Sequence, residues 1–160
     1  MDRTSKENYY LGIADAVQER STCMRRKYGA IIVRNDEIIS TGYNGAPRGR
    51  KNCNDLGYCA REAMQIPSGQ RYELCRSGHA EANAIISASR KDMIGSTLYL
   101  VGRDAKTGEL LHDTTSCSMC RRHIINAGIV KVVARIGTDD FTITNVDEWI
   151  LKDDSVPNKV

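Results

Sequence analysis

His79, Cys117 and Cys120 offer one imidazole and two thiols, the donor types that zinc prefers. Cys117 and Cys120 stand one helical turn apart, so both sulfurs can reach a single ion. A catalytic zinc takes three protein ligands and leaves a fourth position to water. The pKa of that water falls from ~15.7 to about 7, which supplies hydroxide at neutral pH. Glu81, two residues after His79, need not ligate. A carboxylate there can take the water's proton and deliver it to a ring nitrogen, then to departing ammonia. Each feature alone has an ordinary explanation. A Cys-x-x-Cys pair is often a structural zinc half-site or a redox couple, and a lone helical histidine is usually a satisfied core or surface residue. Their order, their separation and the helical pattern at both ends join them into one site.

That site closes only if two helix starts meet. From His79 the chain reads as helical to about Ser89, and Cys117 to Asn126 reads as a second helix stopped by Gly128. A thiol at a helix N-terminus is favoured as thiolate. Between the two, Thr97 to Val101 reads as a short buried strand and residues 102–114 as a polar excursion. Val130 to Ala134 is a further buried strand. Upstream, Tyr9, Ile13 and Val17 with Tyr10 and Ala14 predict a helix over residues 5–20. Ala30 to Val33 and Ile38 to Tyr43 are β-rich runs joined by Asn35-Asp36, a hairpin turn. Residues 44–78 lack periodicity and read as a long loop that is functional or tied down. The tail carries a short helix around Val146 to Leu151, then a charged end. The alternation predicts an α/β sandwich.

The 160 residues suit one domain, 1–160, with a core of about 5–135 and a C-terminal extension, 136–160. At 41% apolar the chain folds without membrane segments, and no apolar run approaches a bilayer span. Asp2, Lys6 and Glu7 do not read as a signal peptide, so a cytoplasmic protein is expected. A net charge of +3 argues against a nucleic-acid partner. Six cysteines in a reducing compartment point to metal binding or catalysis rather than disulfides.

Six stretches resemble the cytidine and deoxycytidylate deaminase family, and look most like its deoxycytidylate (dCMP) branch. They are Cys23-Met24-Arg25-Arg26-Lys27-Tyr28-Gly29-Ala30, Ile39 to Pro47, Asn52-Cys53, His79 to Ile85, Cys117-Ser118-Met119-Cys120 and Ile124 to Ile129. His-x-Glu with a later Pro-Cys-x-x-Cys is the established signature of zinc deaminases. The resemblance implies a three-layer α/β/α fold around a mixed five-stranded sheet, with catalytic zinc on His79, Cys117 and Cys120. It implies hydroxide attack on C4 of cytosine, with Glu81 protonating N3 and the amine, so that dCMP becomes dUMP with ammonia release. It also implies a homo-oligomer, from dimer to hexamer, in pyrimidine nucleotide metabolism, and dCTP and dTTP as candidate allosteric ligands. One departure stands out: Ser116 occupies the place of the family's proline. Serine can cap a helix, so the helix start survives while the approach loop loses rigidity.

Asn44, Arg26, Arg48 and Ala80 form the expected substrate-binding set. By resemblance, Asn44 in Gly42-Tyr43-Asn44-Gly45 would hydrogen-bond the sugar; its plain alternative is a turn asparagine in left-handed geometry. Arg26 and Arg48 offer forks for a phosphate, against the reading of a solvated basic face. Cys23, Cys53, Cys59 and Cys75 supply the four thiols of a closed structural zinc. The resemblance supports Cys23 and Cys53 alone, and ordinary buried thiols are the alternative. Two other functions fit the motif. One is deamination of another base: cytidine, tRNA adenosine, guanine or a riboflavin-pathway pyrimidine. The other is a zinc-stabilised nucleotide-binding protein without turnover.

Overall fold

The computed structural model describes residues 2–157. Ser5 opens α1 (Lys6–Gln18) by accepting from the Asn8 N–H at 3.2 Å. β1 (Arg26–Arg34) and β2 (Glu37–Tyr43) follow as a hairpin. Its turn residues Asn35 and Asp36 have φ of 51° and 63°, the left-handed pair that a type I′ turn demands and these residue types tolerate. The segment expected as loop holds α2 (Cys53–Leu56), α3 (Ala60–Ala63) and a 3-10 turn, Tyr72–Leu74. Elements this short show no period, so the sequence conceals them. α4 (Ala80–Ile86) and α5 (Arg90–Met93) lead into β3 (Thr97–Asp104). α6 (Ser118–Ala127), β4 (Lys131–Arg135), β5 (Phe141–Asn145) and α7 (Asp147–Leu151) complete the fold.

The strands form one mixed sheet in the order β2-β1-β3-β4-β5. Only β3 and β4 run parallel, because the chain between them crosses over through α6. In β1, Ala30 and Ile32 face one side, with Leu98, Leu100 and Val132, beneath Ala80 and Ala84 of α4 and Ile124 of α6. Ile31 and Val33 face the other side, with Tyr99, Val101 and Val133, beneath Tyr10, Leu11 and Ala14 of α1. The central strands are covered on both faces, which is why they read as continuous apolar runs. This is the expected three-layer arrangement. Among the described residues no helix is long and apolar enough to cross a membrane.

The sheet extends beyond the sequence reading. β3 runs to Asp104, inside the supposed polar excursion, because Gly102 and Arg103 pair with Tyr28 and Lys27 of β1. Arg103 also makes a two-pronged ion pair with Asp15 of α1 at 2.6 and 2.7 Å. β5 escaped notice because it is an edge strand whose residues are half-buried or exposed.

One close approach sets the position of α4. A Cβ added to Gly42 would lie 2.3 Å from the Ala84 nitrogen and 2.4 Å from the Ala80 carbonyl oxygen. Only glycine lets β2 touch the helix backbone here. Ser40, two residues earlier on the same face, donates its hydroxyl to the Ala84 carbonyl at 2.7 Å.

Candidate metal centre

His79 and Cys117 each occupy the N-cap of a helix, α4 and α6, with extended backbone (φ −72°, ψ 153° and φ −69°, ψ 163°). An N-cap side chain ordinarily bonds the first turn of its own helix. Neither does so here, which leaves both to turn towards each other. Cys120 sits one turn into α6 and is fully buried.

His79 Nδ1 lies 3.6 Å from Cys117 Sγ and 3.3 Å from Cys120 Sγ. All three donor atoms fall within 4.8 Å of one another. A tetrahedral zinc with its usual bond lengths holds nitrogen and sulfur ligands about 3.6 Å apart. The donor set therefore fits zinc in both chemistry and spacing. Glu81 is not in the set.

The sulfurs are electrostatically unequal. Cys117 is drawn well below the usual thiol range, first by the hydrogen bond from Cys120 and then by His79. Cys120 is pushed up by donating to Cys117, by burial and by the Glu81 charge. The pair thus holds one proton between two sulfurs until a cation replaces it. The bond to Cys117 raises His79 against the effect of burial. Burial pushes the Glu81 carboxyl up, opposed by the Glu81 backbone bond, His79 and the Ser116 hydroxyl. A buried carboxyl poised to carry a proton has the character of a general acid–base.

A cavity of about 140 Å³ opens above these groups. That is about ten times the room one water needs, enough for a small ring. His79, Glu81 and Cys117 line its base, Ala80 and Leu100 add apolar wall, and Asn44 and Arg26 border it. Arg48 is exposed and outside the lining. The structure does not bring it to the cavity wall. Asn44 is not left-handed. Its Oδ1 accepts from the Tyr28 N–H at 2.8 Å and the Ser21 hydroxyl at 2.5 Å, and its Nδ2 donates to the Arg26 carbonyl at 2.8 Å. One amide N–H remains for anything in the cavity.

Cys23, Cys59 and Cys75 also line this cavity. Burial pushes the Cys53 thiol up, and Cys23, Cys75 and Cys59 lie near enough to push it further. Among the described residues, however, no three of these sulfurs fall within 4.8 Å of one another.

Among the lining residues without a sequence signal are Arg61 and Tyr72. Both belong to the aperiodic segment between β2 and α4. The Tyr72 ring stands edge-on to His79, 5.0 Å between centroids, and the Arg61 guanidinium lies 4.7 Å from the Tyr72 ring centre.

The Ser116 loop is held from the far end of the chain. Arg121 Nε donates to the Ser116 carbonyl at 3.0 Å, and its guanidinium lies over Trp149 of α7, 4.9 Å from the ring centre.

Residues 4–136 match the family model described as the cytidine and deoxycytidylate deaminase zinc-binding region. The chain is 37% identical over 131 residues to a deoxycytidylate deaminase of Schizosaccharomyces pombe, covering 82% of this chain and 37% of that one. It is 36% identical over 138 residues to a deoxycytidylate deaminase of Mycobacterium phage D29, covering 83% and 96%. The fission-yeast enzyme is thus matched over only about a third of its length, the phage enzyme almost throughout. In three dimensions the chain is similar to the dCMP deaminase of cyanophage S-TIM5 solved with dCMP and dUMP. The TM-score is 0.59 at 26% identity, over 84% of each chain.

Proposed function

The chain belongs to the cytidine and deoxycytidylate deaminase family, and from that premise we propose that it is a zinc-dependent hydrolytic deaminase converting dCMP and water to dUMP and ammonia. The observation that carries this is the set of His79, Cys117 and Cys120 at ligand spacing beside a buried, non-ligating Glu81 at the base of a ring-sized cavity. The names of the relatives supply the nucleotide.

Zinc held by these three residues supplies an acidified water at neutral pH. Glu81 accepts the proton of the attacking water and passes it to N3 as the new C–O bond forms at C4. A second proton travels through Glu81 to the amino nitrogen, the C4–N bond breaks, and ammonia leaves a uracil ring. Burial serves this role, because a raised carboxyl pKa lets Glu81 take up a proton and hold it between the two transfers. Ala80 and Leu100 keep the base's flank dry, Asn44 offers its remaining N–H to the sugar, and Arg26 stands at the rim.

The test is turnover of dCMP, CMP and deoxycytidine with zinc counted per chain. Ammonia release from dCMP is expected. Zinc-loaded Glu81→Gln should lose about 10²–10⁴-fold, and wild-type turnover in that protein would remove Glu81 from the mechanism. Cys117→Ser should lose the metal.

Three further assignments accompany this reading. The chain is read as one domain, 1–160, with a core of about 5–135 and a C-terminal extension, 136–160; the packing of Val146 and Trp149 on the core supports this. Cys23, Cys53, Cys59 and Cys75 are the candidate ligands of a second, structural zinc; the nearness of Cys23, Cys75 and Cys59 to Cys53 supports this, their sulfurs would have to draw together around the ion, and a count of two zincs per chain would verify it. The chain works as a cytoplasmic homo-oligomer, which suits its six unpaired thiols and its exposed Ile86 and Leu151. Sedimentation in the presence and absence of dCTP and dTTP tests both assembly and regulation.

A further inference from the structure

Ser116 stands one residue before Cys117, the N-cap of α6, and is 1% exposed. Its hydroxyl oxygen is buried and, among the described residues, meets no partner at full hydrogen-bond geometry. A buried hydroxyl left unpaired is costly, and one beside a functional site calls for a reason. The main chain at this point is held firmly. Arg121 Nε donates to the Ser116 carbonyl at 3.0 Å, Arg121 Nη2 reaches the Thr115 hydroxyl at 3.5 Å, and Trp149 lies against the guanidinium. The zinc-deaminase signature has proline here, whose ring fixes φ but brings no donor. In this chain Arg121 and Trp149 steady the loop from outside, which frees position 116 to carry a polar side chain.

Thr115 lines the cavity and Ser116 does not, so the serine reaches its neighbours from behind the cavity wall. The charged group within its reach is Glu81, 6% exposed in the first turn of α4. Burial pushes the Glu81 carboxyl up, and the Ser116 hydroxyl is among the groups that favour its charged form. A carboxylate has two oxygens. The one that exchanges protons must face the cavity, and a donor on the other fixes the plane of the group.

We propose that Ser116 is a positioning residue for Glu81: its hydroxyl donates to one carboxylate oxygen from behind the cavity wall and leaves the other turned to the reacting water. This rests on the deaminase reading and adds to it a residue that the family signature lacks. Ser116 neither touches the substrate nor transfers a proton. It restricts rotation of the carboxyl plane, so its loss lowers the share of productive geometries and leaves substrate affinity alone.

The test uses the full, zinc-loaded chain. A crystal structure of that protein should place Ser116 Oγ about 2.5–3.0 Å from a Glu81 carboxylate oxygen. A hydroxyl turned to another partner would overturn the assignment, whether or not the protein turns over. With dCMP, Ser116→Ala should lose about tenfold in kcat, with KM and zinc content unchanged. Ser116→Thr, which keeps the hydroxyl, should recover most of that loss, and Ser116→Pro should behave as alanine does. In a Glu81→Ala background, adding Ser116→Ala should cost nothing further, because no carboxyl remains to be positioned. Wild-type kcat in Ser116→Ala, a loss shared equally by KM, or a full additional loss without Glu81 would each refute the proposal. A wild type that shows the hydrogen bond but releases no ammonia would sink the deaminase reading and leave the contact standing. Should the threonine variant fail to fold, the alanine kinetics and the crystal distance decide.

Discussion

Replacing Gly42 by alanine tests whether α4 is placed by β2. The added Cβ would meet backbone atoms of α4 at 2.3 and 2.4 Å, where ordinary contact begins near 3.4 Å. Backbone of a packed helix cannot swing aside as a flexible side-chain tip does, so α4 must withdraw by about 1 Å. Overpacking of this kind costs about 1–3 kcal/mol, which at about 3 °C per kcal/mol lowers Tm by about 3–9 °C. The displacement also reaches the chemistry, because His79 caps α4 and Glu81 lies in its first turn. Metal–ligand distances tolerate only about 0.2 Å, so zinc affinity should fall, and a misplacement of about 1 Å should cost turnover about 100-fold. Thermal melts, zinc competition against a fluorescent chelator and kcat/KM on dCMP read the three effects. Gly12→Ala, at an exposed position of α1, is the control: nothing lies within 4 Å of its added Cβ, so it should gain up to about 1 kcal/mol. Wild-type Tm and zinc affinity in Gly42→Ala would refute the argument that this contact sets the helix.

Zinc affinity should weaken as pH falls. The sulfur pair holds one proton that the cation must displace, and His79, raised by its bond to Cys117, adds a second at lower pH. The apparent Kd should rise about tenfold per pH unit near neutrality and more steeply in acid; a flat profile in chelator competition would contradict the shared proton. Trp149→Ala should free Arg121 and loosen the Ser116 carbonyl just before Cys117, lowering zinc affinity several-fold. Unchanged affinity in both Trp149→Ala and Arg121→Ala would show that the C-terminal helix does not steady the metal loop. Tyr10 donates to Asp36, and this bond, with burial, raises its phenol to about 12. A raised pKa contributes stability that is complete below pH ~10 and disappears as pH climbs through the raised value. Melts of wild type against Tyr10→Phe should therefore converge between pH 10 and 12, and a constant gap would count against that bond.

The ligand set is legible in the sequence because its determinants are local. A one-turn cysteine spacing, an apolar period after His79 and a glycine stop at Gly128, whose φ is 82°, need no knowledge of distant contacts. The central strands are legible for the same reason: burial on both faces leaves an unbroken apolar run. Arg48 shows the limit of local reading, since adjacency to the Gly42–Asn44 stretch does not put a side chain in the cavity wall. Asn44 is subtler. Its side chain is mostly spent joining β1 to the end of α1, a role visible only when Ser21, Arg26 and Tyr28 converge on it.

Residue chemistry and short-range periodicity thus marked the candidate metal donors, the candidate proton carrier and the α/β alternation, while the family resemblance implied the three layers. The tertiary structure alone decided that Arg61 would be buried beside Tyr72, and that Trp149 would reach back to the loop before Cys117. Those contacts join segments with no common period, and a pattern that repeats along the chain carries no information about which aperiodic loop folds over a site.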